Sequence, residues 1–121
     1  MTPVGLGLDS IEIDRIQRSA ERPAFLRRIY TERELSYAGG RAESLAAMFA
    51  AKEAFGKAVG CGVSGFAWNE AEVEHLPGGQ PVLRLSGRAA EKFGHMSFLL
   101  SLTHDKTHAT AAVFAFIPGK E

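Results

Sequence analysis

An α+β fold follows from three features of the sequence: a glycine-interrupted alternating stretch near the start, one long alanine-rich segment with helical spacing in the middle, and two strand pairs with turn chemistry after it. The long segment is expected to pack as a central helix on a mostly antiparallel sheet. In the first stretch, Val4, Leu6, Leu8 and Ser10 share one face of a strand running to Ile13, and Gly5, Gly7, Asp9 and Ile11 share the other. The two glycines leave room above the second face for a helix, another backbone or a ligand, with the Asp9 carboxylate beside it. Asp14 to Arg22 suits a short helix stopped by Pro23. Ala24 to Tyr30 suits a second, and Thr31 with Glu34 three residues on forms a capping box that opens a third. Beyond Gly39-Gly40, Ala42 to Val59 carries Leu45, Met48, Phe49, Phe55 and Val59 near helical spacing, and Gly60, Gly62 and Gly65 end this central helix in a loop. Ala71 to Leu76 alternates with acidic positions as a half-exposed strand, and Val82 to Leu85 returns it after Pro77-Gly78-Gly79-Gln80-Pro81. Gly87 to Phe93 suits a brief helix. Ser97 to Thr103 and Ala109 to Ile117 form a second hairpin joined through His104 to His108.

The chain has 121 residues, 45% hydrophobic and 23% charged, which suits a single domain over 1–121 rather than two domains or a disordered tail. At this size a fold buries about two thirds of its unfolded surface, enough for a core without disulfides or a structural metal. A deep cleft is harder to build. Fourteen basic and fourteen acidic residues cancel, so nucleic acid and an anionic membrane are not expected as main partners. Cys61 has no second cysteine to pair with, and Met1-Thr2-Pro3-Val4 lacks the blocks of a signal peptide, so a cytoplasmic location is expected. No apolar run approaches the roughly twenty residues of a membrane span.

Chemistry concentrates in the run Phe49 to Ala58. Glu53 and Lys57 are four apart, and the plain reading is an exposed helix pair worth about 0.3 kcal/mol. Gly56, however, costs about 1 kcal/mol against alanine in a helix, and the missing side chain leaves space for a ligand between Glu53 and Lys57. Lys52, Glu53 and Gly56 together read as the edge of a phosphate and metal pocket. Asp9 and Glu53 are suitable in type for Mg²⁺, which takes one or two carboxylates plus phosphate oxygens and water. Zinc-finger spacing and a P-loop are absent, and Gly5-Leu6-Gly7-Leu8-Asp9-Ser10 fails the dinucleotide fingerprint at its last glycine. Ser101-Leu102-Thr103-His104-Asp105 brings hydroxyls, an imidazole and a carboxylate to a turn, where a solvated histidine is the plainer reading. From Asp14 to Arg33, six arginines against three carboxylates leave a net charge of +3. Arg15, Arg18 and Arg22 could form a stripe suited to an acidic protein partner.

As a set, Gly5-Leu6-Gly7-Leu8-Asp9-Ser10-Ile11-Glu12-Ile13-Asp14-Arg15-Ile16, the Phe49-to-Ala58 run with Gly60, and Ser101-Leu102-Thr103-His104 resemble the holo-acyl-carrier-protein synthase family of small trimeric 4′-phosphopantetheinyl transferases. The resemblance covers nearly the full chain, from Val4 to Phe116. It implies that family's fold, a homotrimer, and Mg²⁺-dependent transfer of phosphopantetheine from coenzyme A to a serine of an apo acyl carrier protein, releasing adenosine 3′,5′-bisphosphate. By position, Asp9 and Glu53 match the Mg²⁺ ligands, Lys52 the lysine against the phosphates, and His104 the histidine at the coenzyme A site, with Gly56 in the same pocket. The family's cleft lies between subunits, so Gly79, Gln80, Pro81 and the Arg41-to-Leu45 region are expected to reach coenzyme A bound to a neighbour. Arg15, Arg22 and Arg28 match the carrier-binding basic surface. Candidates for the serine proton are Glu53, directly or through a metal-bound water, His104 and Asp105; Asp105 or the Glu53 water is favoured. Met48 and Ala24 stand where relatives are commonly basic. Two rival functions use the same residues: a catalytically silent carrier-binding module, which Met48 supports, and a metal-dependent hydrolase of the coenzyme A pyrophosphate.

Overall fold

The computed structural model describes residues 1–119; residues 120 and 121 of the expected domain range lie outside the described residues. The element order is β1 (Thr2–Glu12), α1 (Ile13–Ser19), α2 (Pro23–Ile29), α3 (Glu32–Ala38), α4 (Ala42–Val59), a 3₁₀ turn (Trp68–Glu70), β2 (Ala71–His75), β3 (Pro81–Leu85), α5 (Gly87–Phe93), β4 (Ser97–His104) and β5 (His108–Ile117). The expected single sheet is two. β1, β5 and β4 form a three-stranded antiparallel sheet with β5 in the centre, and β2 with β3 forms a separate hairpin.

The long helix lies close on the β1–β5 part of the three-stranded sheet because small residues dominate the inner face there, while Ile11, Val113, Phe98, Leu100 and Leu102 fill the rest of that face. Gly5, Gly7, Ala109, Ala111 and Ala115 alternate onto it, and β5 is buried at every second residue from Ala109 to Ala115. A Cβ added at Gly7 would stand 1.8 Å from the Ala54 carbonyl oxygen, and one at Gly5 2.1 Å from that of Ala58. The backbones of β1 and α4 therefore touch. This is the close approach that glycine in a strand permits. On its other sides α4 buries Phe49 and Phe55 among Phe25, Phe66, Phe93, Phe98 and Trp68. The helix ends at Gly60, whose left-handed φ of 87° favours glycine.

The opposite face of the sheet is apolar and uncovered. Leu6 is 71% exposed, and Leu8 and Leu99 are each 62% exposed. Phe114 stands between Leu6 and Leu99 in the register, and Phe116 stacks on Phe114 at 5.5 Å. The capping box at α3 forms as expected: Glu34 N–H donates to Thr31 Oγ1 and Thr31 N–H donates to Glu34 Oε1. The expected arginine stripe does not form on one helix. α1 stops at Ser19 and Pro23 starts α2, so Arg22 belongs to the junction and not to the helix that carries Arg15 and Arg18.

Candidate active site

The two flanks of α4 carry different chemistry. Glu53 follows Ser44 by nine residues, about two and a half turns, so the two side chains leave the helix on opposite sides. On the flank beside β1, Asp9 comes off the strand just past Gly7 and meets Lys57. The Lys57 ammonium donates to Asp9 Oδ1 at 3.2 Å and to the Leu8 carbonyl oxygen at 2.9 Å. The expected Glu53–Lys57 helix pair is thus replaced by an inter-element bridge. Asp9 Oδ2 is buried and has no hydrogen-bond partner, and the Asp9 side chain is only 13% exposed. Such an orphaned oxygen is costly unless something else satisfies it.

Glu53 faces the same spot. Partial burial first, and then repulsion from the Asp9 charge, push its carboxyl above the ordinary range, while Lys57 and Arg15 pull it back down. Two hard carboxylates that repel each other, one with an unsatisfied oxygen, are a fitting donor set for a divalent cation completed by phosphate and water. Among the described residues no group of three or more His, Cys, Asp or Glu side chains gathers as a metal cluster.

Lys52 and Gly56 do not line the site. The Lys52 side chain is 0% exposed and its ammonium donates to Glu34 Oε1 at 2.9 Å. It points away from Glu53 towards α3 and β2. Burial lowers its pKa, and the Glu34 charge and hydrogen bond offset that. The space at Gly56 is filled by backbone, since a Cβ there would lie 2.1 Å from the Gly62 carbonyl oxygen. The N–H groups of Gly60, Cys61 and Gly62 all donate to the Gly56 carbonyl oxygen, which folds the loop over it. The lysine at the carboxylates is Lys57.

His104 stands on the other flank. It lines a hollow of about 130 Å³ with Tyr37, Glu43, Ser44, Met48, His75 and Thr103. With Ile13, Glu43, Asp105 and Lys106 it also borders an open groove of about 490 Å³. Asp9, Glu53 and Lys57 are not among the residues that line either hollow. In the first hollow the His75 ring stacks on Tyr37 at 3.8 Å, and burial, then the Arg41 charge, lower the His75 pKa. Gly79 and Gln80 lie at the exposed tip of the hairpin, and the half-buried Pro81 opens β3 opposite His75 in its register. They belong to this second flank.

Asp105 is engaged in its own turn. Its Oδ1 accepts from Thr107 N–H, Thr107 Oγ1 and His108 N–H. These bonds hold its carboxyl below the ordinary range, the His108 and Thr107 backbone donors contributing most. Such a carboxylate is a poor proton acceptor. Arg15 lies beside the carboxylates, its charge acting on Glu53. Arg22 and Arg28 are elsewhere, at the rim of an apolar hollow of about 350 Å³ lined by Ala24, Phe25, Ile29, Phe49 and Trp68. The basic surface thus has two parts. Sequence periodicity does not reveal the apolar hollow, because its aromatic walls come from three separated segments.

The model of the 4′-phosphopantetheinyl transferase superfamily matches residues 5–113. The chain is 48% identical over 110 residues to a holo-[acyl-carrier-protein] synthase of Solibacter usitatus, covering 84% of this chain and 88% of that one. It is 44% identical over 124 residues to that of Trichlorobacter lovleyi, covering 95% and 98%. Among solved structures it superposes with a TM-score of 0.84 and 34% identity on a holo-(acyl-carrier-protein) synthase from Bacillus anthracis in complex with CoA (3′,5′-ADP), covering 98% of this chain and all of that one. The same TM-score, at 27% identity, relates it to the Helicobacter pylori synthase in complex with coenzyme A, covering 91% of this chain and 98% of that one.

Proposed function

The chain belongs to the 4′-phosphopantetheinyl transferase superfamily, and from that premise we propose how its residues carry the phosphopantetheine group from coenzyme A to a serine of apo acyl carrier protein. The chain is an enzyme with the activity of a holo-[acyl-carrier-protein] synthase. The observation that carries the residue assignment is the Asp9–Lys57–Glu53 cluster, with a buried carboxylate oxygen left over for a ligand.

Asp9 and Glu53 would hold magnesium. When bound, the ion supplies neutralisation of the pyrophosphate charge. Lys57 adds a positive charge at the same edge, its ammonium held between Asp9 and the Leu8 carbonyl and its side chain half exposed to an incoming phosphate. In the transfer the serine Oγ attacks the phosphorus of the pantetheine phosphate. The bond from that phosphorus to the bridging oxygen breaks, and adenosine 3′,5′-bisphosphate leaves with that oxygen. The serine proton passes to the Glu53 side of the site and not to Asp105, whose carboxylate is already taken up by the donors of its own turn and held below the ordinary range. Positioning and charge supply most of the acceleration.

His104, with the Tyr37–His75 wall and the Gly79-Gln80-Pro81 tip, serves coenzyme A held on a neighbouring copy's carboxylates. Two observations support that arrangement: His104 lines a hollow whose walls include none of the carboxylate cluster, and the leucine-rich outer sheet face is exposed. A homotrimer fits both. The acidic surface of the carrier docks on Arg15, Arg22 and Arg28, with an apolar side chain entering the hollow between Phe25 and Trp68. No helix among the described residues is long and apolar enough to cross a membrane, and cytoplasmic action on a free carrier is the corresponding location.

The test is the intact mass of an apo acyl carrier protein after incubation with this protein, coenzyme A and Mg²⁺. A gain of about 340 Da, one phosphopantetheine, that disappears with a metal chelator is expected. Release of the nucleotide without a mass gain on the carrier would identify a hydrolase instead.

A further inference from the structure

The Lys52 ammonium makes three hydrogen bonds, to Glu34 Oε1 at 2.9 Å, the Trp68 carbonyl oxygen at 3.1 Å and the Ala71 carbonyl oxygen at 2.9 Å. That accounts for all three of its protons. Glu34 is as fully engaged, accepting Thr31 N–H on Oε1 at 2.9 Å and Val73 N–H on Oε2 at 2.7 Å. Both side chains are 0% exposed, so no proton of Lys52 is free for a phosphate. A buried ion pair is weak evidence for stability, because well-packed apolar residues often serve as well. Here it fixes geometry, tying α4 to α3, the 3₁₀ turn and β2 at a single point.

The contacts on the sheet side are of another kind. Gly5 and Gly7 set how near the helix lies but offer no side chain to interlock with it, and Lys57 reaches β1 through a half-exposed side chain. Glu53 is the next residue after Lys52, so any roll of the helix carries its carboxylate with it. A roll of about 20° moves a carboxylate lying about 6 Å from the axis through about 2 Å. A shift of that size is ruinous for a coordinated or reacting group. We infer that Lys52 is a positioning residue: with Glu34 it sets the roll of α4 and thereby aims Glu53 at Asp9, and it does not touch coenzyme A. The inference rests on the reading of Asp9 and Glu53 as a cation-holding pair.

The test compares Lys52→Met, the charge-balanced Glu34→Gln/Lys52→Met variant and the wild type, each as the intact assembled protein. Arg84→Ala, which removes an exposed ion pair with Glu74, sets the baseline. Mn²⁺ binding is followed by electron paramagnetic resonance without substrate, coenzyme A affinity is measured without metal, and kcat and KM are determined separately. The expected result is a loss of about tenfold in Mn²⁺ affinity and at least as much in kcat, with metal-free coenzyme A affinity within about twofold of wild type. If Lys52→Met does not fold, the double variant carries the decision, since it buries no lone charge. Weakened metal-free coenzyme A binding with Mn²⁺ binding intact would overturn the inference in favour of a phosphate contact. A lowered Tm with unchanged Mn²⁺ affinity and kcat would overturn it in favour of a purely structural pair. A Glu53→Gln variant that binds Mn²⁺ as the wild type does would remove the cation reading itself, and the positioning role with it.

Discussion

The flank of α4 beside β1 and the flank beside β4 are built in opposite ways. On the first, chemistry sits on backbone contact: Gly5 and Gly7 bring β1 against the helix, and Asp9, two residues on, is wedged so closely that one of its oxygens is buried without a partner. On the second, side chains line hollows, with His104, Ser44, Tyr37 and His75 around one of them. The difference separates the two tasks of a transferase. Charge must be held rigidly where bonds change, whereas a large nucleotide is gripped by walls that can adjust.

The largest effect is expected on the first flank. Asp9→Ala removes the buried carboxylate and should lower transfer by about a hundred- to a thousand-fold in a folded protein, read as carrier modified per minute. Near-normal transfer would erase the contrast between the flanks. Gly7→Ala tests the backbone contact itself. Its Cβ would stand 1.8 Å from the Ala54 carbonyl oxygen, and an overpacking loss of about 3 kcal/mol is expected in denaturant unfolding. An unchanged midpoint would mean that the helix is free to retreat.

On the second flank the expected change is smaller and different in kind. His104→Ala should raise the KM for coenzyme A by about tenfold, the worth of one charge-assisted hydrogen bond, with kcat moving less. A fall confined to kcat would place the histidine at the chemistry and merge the two flanks. The smallest effect concerns stability. Because burial and Asp9 raise the Glu53 carboxyl in the folded protein, the native state binds that proton more tightly than the unfolded chain does. Charged Glu53 therefore costs stability as pH rises through that window. Glu53→Gln should abolish transfer yet raise Tm slightly at pH 7, on the order of 1–2 °C, and the gain should vanish below about pH 4, where both states are protonated. A lower Tm at pH 7 would mean that the attraction of Lys57 and Arg15 outweighs the strain.

Much of this was legible in the sequence where the signal is local. The span Ala42–Val59, the Thr31–Glu34 capping box and the bare Gly5–Gly7 face each depend on residues a few positions apart. The second sheet was not, because whether two hairpins join edge to edge is decided by packing that no periodicity records. Lys52 and Lys57 show the limit most clearly. Helical spacing puts them on different sides of α4, but which side meets phosphate depends on where Glu34 and the Ala71 carbonyl arrive, and both come from other elements. Gly56 reads as a vacancy until Gly62 is seen folded onto it. Asp105 carried a readable sign, since an Asp two residues before Thr107 is a familiar turn-former. Its carboxylate oxygen is taken up in just that way.

The pairing of β1 with β5 also bears on synthesis. Among the described residues, the strand that carries Asp9 finds its only ladder partner about a hundred residues later in β5, Thr2 lying opposite Ile117 and Glu12 opposite His108. A nascent chain still lacking β5 holds β1 with both edges open, and α4 has only half a floor to rest on. Long-range closure of this kind is slow, so the β1 floor under the carboxylate pair is completed only after β5 has left the ribosome. An unfinished polypeptide therefore has no means of engaging coenzyme A at these carboxylates.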